Sequence, residues 1–524
     1  MVRVFTYIYT SLKQSFLMKY FLLSIAIISS ITLFAQAPKT NAPKTTAKPA
    51  AQKPVAKTAA ATSSSERNIS ITYTPYKNCW LYLGSYYGNG KVLVDSAKLD
   101  AKSKGNFKGK KLTGGIYFVV SPEMSIQFEF LVGAQQTFSV VGDSTNKENI
   151  TITGSTDNTL FKQYSAYSTE KGRAIAQINQ QLSVTKDEAI ATNLRKEKNK
   201  LNIELQNYRD NIIKQNANSL LATLLTTMKV PEPPAIPVVN GKPDSTYPYR
   251  FVKEHFWDGV NFNDDRLLRT PFFEKKLDDY FKYYVSPESD SIIKEVKYIL
   301  LYARTGKEIY PYLLTKFTNK YINPEYMGQD KVFLYLFTDF YAKGDTTILN
   351  AASRKMIFER AYSMMANQLG NPAPLLDLTD TTGQIVSLYN VKAKFTVVVF
   401  WDPTCGHCKE EIPRLDSAYK AKWKEQGVKV YSVIVKEDLM KELKGFLKEK
   451  NISNDWLQVY QTKAARDAEV AANQANYHQL YDVYKTPTFY LLDEEKRIIG
   501  KQLSLEQFDD LIKAKLKKQT STNN

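Results

Sequence analysis

Two cysteines three positions apart, Cys405-Gly406-His407-Cys408, sit between segments of opposite character. Ahead of them, Phe395-Thr396-Val397-Val398-Val399-Phe400-Trp401 is a β-branched, apolar run closed by Asp402-Pro403, the pattern of a fully buried strand. Behind them, Lys409-Glu410-Glu411-Ile412-Pro413 leads into apolar positions at Ile412, Leu415 and Tyr419, the spacing of a helix opened by the first cysteine. This order fixes one thiol at a helix N-terminus, where partial positive charge and free N–H groups favour a thiolate. Cys405 is therefore expected to be the nucleophile and Cys408 the resolving thiol of a redox-active disulfide. His407 is expected to add cationic influence when protonated.

Zinc binding is the other chemistry open to such a pair, but it needs two further ligands. The remaining cysteine is Cys79 and the other histidines are His255 and His478, which form no second ligand pair. Thiol chemistry without metal or cofactor is the expectation.

The strand-Trp-x-x-x-Cys-x-x-Cys-helix pattern resembles a thioredoxin fold, with Pro413 at the position where that family's active-site helix is kinked. Downstream, Val483-Tyr484-Lys485-Thr486-Pro487-Thr488-Phe489-Tyr490-Leu491-Leu492-Asp493 is similar to the family's cis-proline segment. The resemblance implies that Thr486 and Pro487 face the cysteines and offer backbone groups to an extended substrate, with Trp401 among the substrate-binding residues. The lead-in Gly370-Asn371-Pro372-Ala373-Pro374, followed by Asp380-Thr381-Thr382-Gly383-Gln384-Ile385-Val386-Ser387-Leu388, narrows the likeness to the TlpA/ResA type of envelope thiol-disulfide oxidoreductase. Glu411 matches the acidic residue three positions after the second cysteine, and the resemblance gives it a proton-handling role; the other reading is an exposed helix carboxylate. Two positions depart from the pattern. Val399 stands where thioredoxins proper carry a buried Asp, and Thr404 stands where most relatives have Trp. The likeness covers residues 370–524.

Residues 1–35 hold Lys19, an apolar run from Phe21 to Phe34, and Ala35, the pattern of a secretory signal peptide, with Met18 a plausible start. The run is short for a membrane span, and no cysteine follows it for lipid anchoring. Export agrees with cysteine usage: three in 524 residues make a redox catalyst, not a disulfide framework. Removing residues 1–35 takes with it Arg3, Lys13 and Lys19, leaving +15 of the formal +18. Export and the spread of Lys and Arg argue against a nucleic-acid partner.

Residues 36–66 are rich in Ala, Pro, Lys and Thr and read as an extended linker. Residues 67–155 carry short strand patterns such as Ile69-Ser70-Ile71-Thr72-Tyr73 and Trp80-Leu81-Tyr82-Leu83 between glycine turns, which suggests an antiparallel β-sandwich-like domain. Their order is similar to the β domain ahead of many TlpA-type domains. Cys79 reads as a buried inert thiol, or else as a redox partner for the distant pair.

Residues 156–369 read as a helical region. One stripe runs through Leu194, Leu201, Leu205, Tyr208 and Ile212, and Thr185-Lys186-Asp187-Glu188 reads as a capping box opening the second helix of a long antiparallel pair. A spacer or an oligomer surface is expected there, and the Tyr and Phe stripes beyond Tyr249 read as core or as partner anchors. Residues 370–518 form the α/β thioredoxin-like domain, with strands at Val428–Val435 and Leu457–Tyr460, an irregular Thr462–Asn476 stretch, and a closing helix from Leu505 to Lys517. Residues 519–524 are a tail, and His478 is expected to pack or face solvent.

The expected function is an exported thiol-disulfide oxidoreductase acting on cysteine-containing envelope proteins, with a further thiol protein as electron donor or acceptor. Two alternatives stand beside it. One is an envelope binding or assembly protein with an accessory thioredoxin domain. The other is a thiol peroxidase, which would want a longer Pro-to-Cys spacing than Pro403-Thr404-Cys405 provides.

Overall fold

The structure, a computed structural model, describes residues 66–522. The signal peptide and all of the linker before Glu66 lie outside the described residues, as do the last two residues of the tail. Two compact units divide between Tyr284 and Val285, inside the helical region. No helix among the described residues is long and apolar enough to cross a membrane.

The first unit opens with eight strands: β1 (Glu66–Thr74), β2 (Trp80–Tyr87), β3 (Gly90–Lys98), β4 (Lys104–Lys110), β5 (Gly115–Val120), β6 (Ile126–Val132), β7 (Thr137–Asp143) and β8 (Asn146–Thr153). They form two four-stranded sheets, ordered β4-β1-β7-β8 and β3-β2-β5-β6. Pairing is antiparallel except between β1 and β7, which run parallel. Ile69, Ile71, Tyr73, Phe107 and Phe138 from one sheet meet Leu81, Leu83, Tyr117, Val119 and Phe130 from the other in one core. Every residue of β5 is buried, because its other face, Ile116, Phe118 and Val120, packs on helical residues including Leu220, Leu221 and Leu224.

Helices α1 (Thr156–Val184) and α2 (Glu188–Gln215) form the long antiparallel pair, locked by Tyr167 against Tyr208 at 4.2 Å and by Lys171 to Glu204 at 2.8 Å. The capping box at Thr185 is corrected. Asp187 is the N-cap, accepting from the Ala189 and Ile190 N–H groups, whereas the Thr185 hydroxyl turns back to the Gln181 carbonyl at 2.7 Å and finishes α1. After α3 (Leu220–Met228) come a two-residue hairpin, β9 (Val238–Val239) with β10 (Lys242–Pro243), then α4 (Tyr247–His255) and α5 (Phe273–Tyr283).

The second unit begins with α6 (Ser289–Ala303), α7 (Ile309–Tyr321), α8 (Asp330–Leu336) and α9 (Ala351–Ala366). Then come β11 (Asp377–Asp380), β12 (Ile385–Ser387), β13 (Phe395–Trp401), α10 (Gly406–Ala418), β14 (Val428–Ile434), α11 (Met440–Glu449), β15 (Leu457–Tyr460), α12 (Lys463–Ala471), α13 (Tyr477–Leu480), β16 (Thr488–Leu492), β17 (Ile498–Lys501) and α14 (Leu505–Thr522). The seven strands form one mixed sheet, ordered β12-β11-β15-β14-β13-β16-β17. Strand β13 is central and wholly buried. Its odd-numbered residues Val397, Val399 and Trp401 pack with α10, α11 and α14, and Val398 and Phe400 pack on the opposite face with Tyr477 and Tyr481. Burial on both faces is why its sequence shows no polar alternation. The expected irregular stretch after Gln461 contains α12, started by the Thr462 side chain on the Ala465 N–H at 3.2 Å; none of its residues is buried, so no apolar stripe announces it.

The helices of this unit are tied to the sheet by buried polar contacts. Lys501, ending β17, donates to the Asp330 carboxylate at 2.5 Å and to the Asn367 carbonyl and side-chain oxygens at 2.9 and 2.8 Å. Arg360 of α9 pairs with Asp482, with both side chains largely buried.

Candidate active site

The site lies where β13 hands over to α10. Asp402 caps the turn: its carboxylate accepts from the Thr404 N–H at 2.7 Å and the Thr404 hydroxyl at 2.6 Å, and its carbonyl accepts from the Cys405 N–H at 3.1 Å. Cys405 is the N-cap residue of α10, in extended backbone conformation, so its sulfur stands at the open N–H groups of the first turn. Its thiol donates to the Thr486 carbonyl at 3.4 Å, and the Thr486–Pro487 peptide is cis. All the cysteines carry free thiols, Cys405 half-buried and Cys408 fully buried.

The two thiols are pushed in opposite directions. Partial burial works against the Cys405 thiolate, but the Thr486 side chain, the N–H groups of Cys408 and His407, and the Cys408 thiol outweigh it, so Cys405 ionises below its ordinary value. Burial pushes the Cys408 thiol up to about 12, only partly offset by the Asp402 backbone N–H. One thiol is poised to attack and the other is held protonated.

The remaining sequence candidates divide. His407 acts on Cys405 through its backbone N–H, while the residue itself is exposed. Glu411 lies one turn along α10 from Cys408, with its carboxylate in an ion pair with Arg414, which also reaches Glu506 at 2.6 Å. Trp401 is a correction: its exposure is 0%, its indole N–H donates to the Ser432 hydroxyl at 2.7 Å, and it packs on Phe446. It is a core residue and has no surface for a substrate. Val399 is likewise in the apolar core.

Sequence reasoning missed Asp402 and Lys436 as site residues. The Lys436 ammonium reaches the Asp402 carboxylate at 2.8 Å and feels the charge of Cys405. Burial opposes the Asp402 charge, yet Lys436 and Thr404 hold its carboxyl below the usual range. The Asp-Pro-Thr turn carried a signal for Asp402; Lys436, just past β14, carried none.

Cys79 is half-buried at the edge of the sandwich core, and burial together with the Glu123 charge raises its thiol above the ordinary value. His255 pairs with Asp258 at 2.7 Å, and His478 stacks on Tyr477. Among the described residues, no cluster of three or more His, Cys, Asp or Glu could hold a metal ion.

Residues 369–501 match the AhpC/TSA family model. The C-terminal domain is thioredoxin-like and of this family. A protein of Bacillus thuringiensis subsp. konkukian named thiol-disulfide oxidoreductase ResA is 26% identical to it over 153 residues, 29% of this chain and 79% of the relative. A solved domain of a possible thiol-disulfide isomerase from Cytophaga hutchinsonii is 36% identical, covering 29% of this chain and 96% of that one, with a TM-score of 0.25. A thioredoxin-like protein from Bacteroides caccae is 22% identical, covering 55% of this chain and 99% of that one, with a TM-score of 0.42. Upstream of the thioredoxin-like domain, residues 189–349 match a model described as a domain of unknown function, DUF5106. The thioredoxin-like domain is thus of the thiol-disulfide oxidoreductase type.

Proposed function

We propose that the chain is an exported thiol-disulfide oxidoreductase of the cell envelope, acting on cysteines of other envelope proteins. The observation that carries this reading is the opposed setting of the two thiols, with Cys405 at the helix N-terminus against the Thr486 carbonyl and Cys408 buried behind it. The leader pattern in residues 1–35 and the ResA relatives support export.

In the reducing direction, the Cys405 thiolate attacks one sulfur of a substrate disulfide, forming a mixed disulfide and expelling the other substrate sulfur as a thiolate. Cys405 then carries no charge, which removes one of the influences that keep the Cys408 thiol protonated. Cys408 gives up its proton, with Glu411 as the acceptor in this reading, and its sulfur attacks Cys405. The second substrate thiolate leaves, and two electrons have passed from the dithiol to the substrate, leaving a Cys405–Cys408 disulfide. A separate thiol protein must restore the dithiol; run backwards, the same steps oxidise a substrate.

The test is to equilibrate the full chain with glutathione buffers and trap free thiols. A reversible Cys405–Cys408 disulfide is expected. A potential near roughly −180 mV makes the chain an isomerase or oxidant, and one below about −250 mV a reductase. Absence of a reversible disulfide, or full function in a Cys405→Ser variant, overturns the reading in favour of a binding or assembly role.

A further inference from the structure

Tyr484 is 63% exposed, two residues before Thr486, whose carbonyl meets the Cys405 thiol. Its surroundings are unusually fixed for an exposed aromatic. Val483 is buried and its N–H donates to the His478 carbonyl at 2.8 Å; the Tyr484 N–H donates to the Asp482 carbonyl at 3.1 Å. The Arg360 guanidinium lies 4.9 Å from the centre of the Tyr484 ring. Arg360 is itself held on several sides, by the Asp482 carboxylate, the Ile322 carbonyl at 3.0 Å and the Asn323 side chain at 3.2 Å. A helix outside the thioredoxin-like domain therefore supports one side of a ring that is otherwise left to solvent.

We propose that Tyr484 is a substrate-recognition residue, and that Arg360 positions it for a protein chain lying along Thr486 and Pro487. This rests on the oxidoreductase reading above. Two residues of chain span at most about 7 Å, so the ring is within reach of a side chain close to the substrate cysteine that Cys405 attacks. A fixed aromatic ring loses little entropy on contact and is a favoured anchor. The exposed Lys485 next to the ring repels a cationic neighbour. The side chain that fits is apolar or aromatic, and a small disulfide has none to offer.

The experiment compares insulin, reduced with dithiothreitol as donor, with hydroxyethyl disulfide, using the full chain. In Tyr484→Ala the KM for insulin is expected to rise about tenfold with kcat within about twofold, and the insulin-to-hydroxyethyl disulfide reactivity ratio to fall by the same tenfold. Tyr484→Phe should keep the wild-type ratio, and Arg360→Ala should move it in the direction of Tyr484→Ala. If Arg360→Ala does not fold, Tyr484→Ala, a change at an exposed side chain, decides the matter alone. An unchanged insulin KM, or an equal loss on both substrates, overturns the proposal while leaving the oxidoreductase reading intact. A wild-type chain that reacts with neither disulfide overturns both.

Discussion

Lys501 and Asp330 form an ion pair in which each side chain is only 4% exposed, joining the last strand of the thioredoxin sheet to the first residue of α8. Removing one partner strands the other charge where water cannot reach it. Lys501→Met or Asp330→Asn is expected to cost about 3–5 kcal/mol in urea denaturation. The double variant Lys501→Met with Asp330→Leu should recover much of that loss, because the desolvation penalty disappears with both charges.

Alkylation should separate the two thiols by pH. Cys405 ionises below the ordinary thiol value, so its reaction with iodoacetamide should rise with pH through a midpoint below that of free cysteine, about 8.5, and be lost below that midpoint. Cys408, held up to about 12, should stay unmodified across the neutral range. Peptide mapping of the alkylated chain checks both expectations.

Lys436 stabilises negative charge at Cys405 and partners Asp402. Loss of its charge in Lys436→Gln disfavours the thiolate of the reduced form, so the reduction potential should fall slightly, the lysine being largely exposed. Lys436→Arg should restore it. A potential that rises or does not move in Lys436→Gln would contradict this placement.

Trp401→Phe should lower stability by about 2 kcal/mol and leave the KM for a protein disulfide unchanged. Ser432→Ala, which leaves the buried indole N–H without its acceptor, should cost about 1–3 kcal/mol. A raised KM at unchanged stability would return Trp401 to the substrate groove.

The thioredoxin-like domain was legible because its signals are local. A buried strand, a dithiol at a helix start and a Thr-Pro before a second strand each occupy a few consecutive residues. What stayed hidden depends on pairing between distant positions. Lys436 meets Asp402 across 34 residues and Arg360 meets Asp482 across 122, and nothing in either stretch marks its partner. Trp401 was misplaced for a different reason: its substrate role came from the family resemblance, whereas the run that it closes already has the pattern of a fully buried strand. Thr185 misled because a Thr-x-x-Glu spacing fits a capping box, although the hydroxyl found an acceptor in the preceding turn instead. The parallel pairing of β1 with β7 was equally invisible, since alternation fixes a strand's faces but not its neighbours.

The contacts of Asp330, Asn367 and Arg360 with Lys501 and Asp482 have a consequence for how this chain can be divided. The stretch that carries the family likeness starts at residue 369, whereas the compact unit that contains it starts at Val285. Heredity and folding therefore draw their borders in different places. A fragment cut at the hereditary border keeps both thiols, but Lys501 loses its buried counter-charge and Tyr484 its support. Such a fragment would be a good reporter of dithiol chemistry and a poor reporter of which proteins the whole chain chooses.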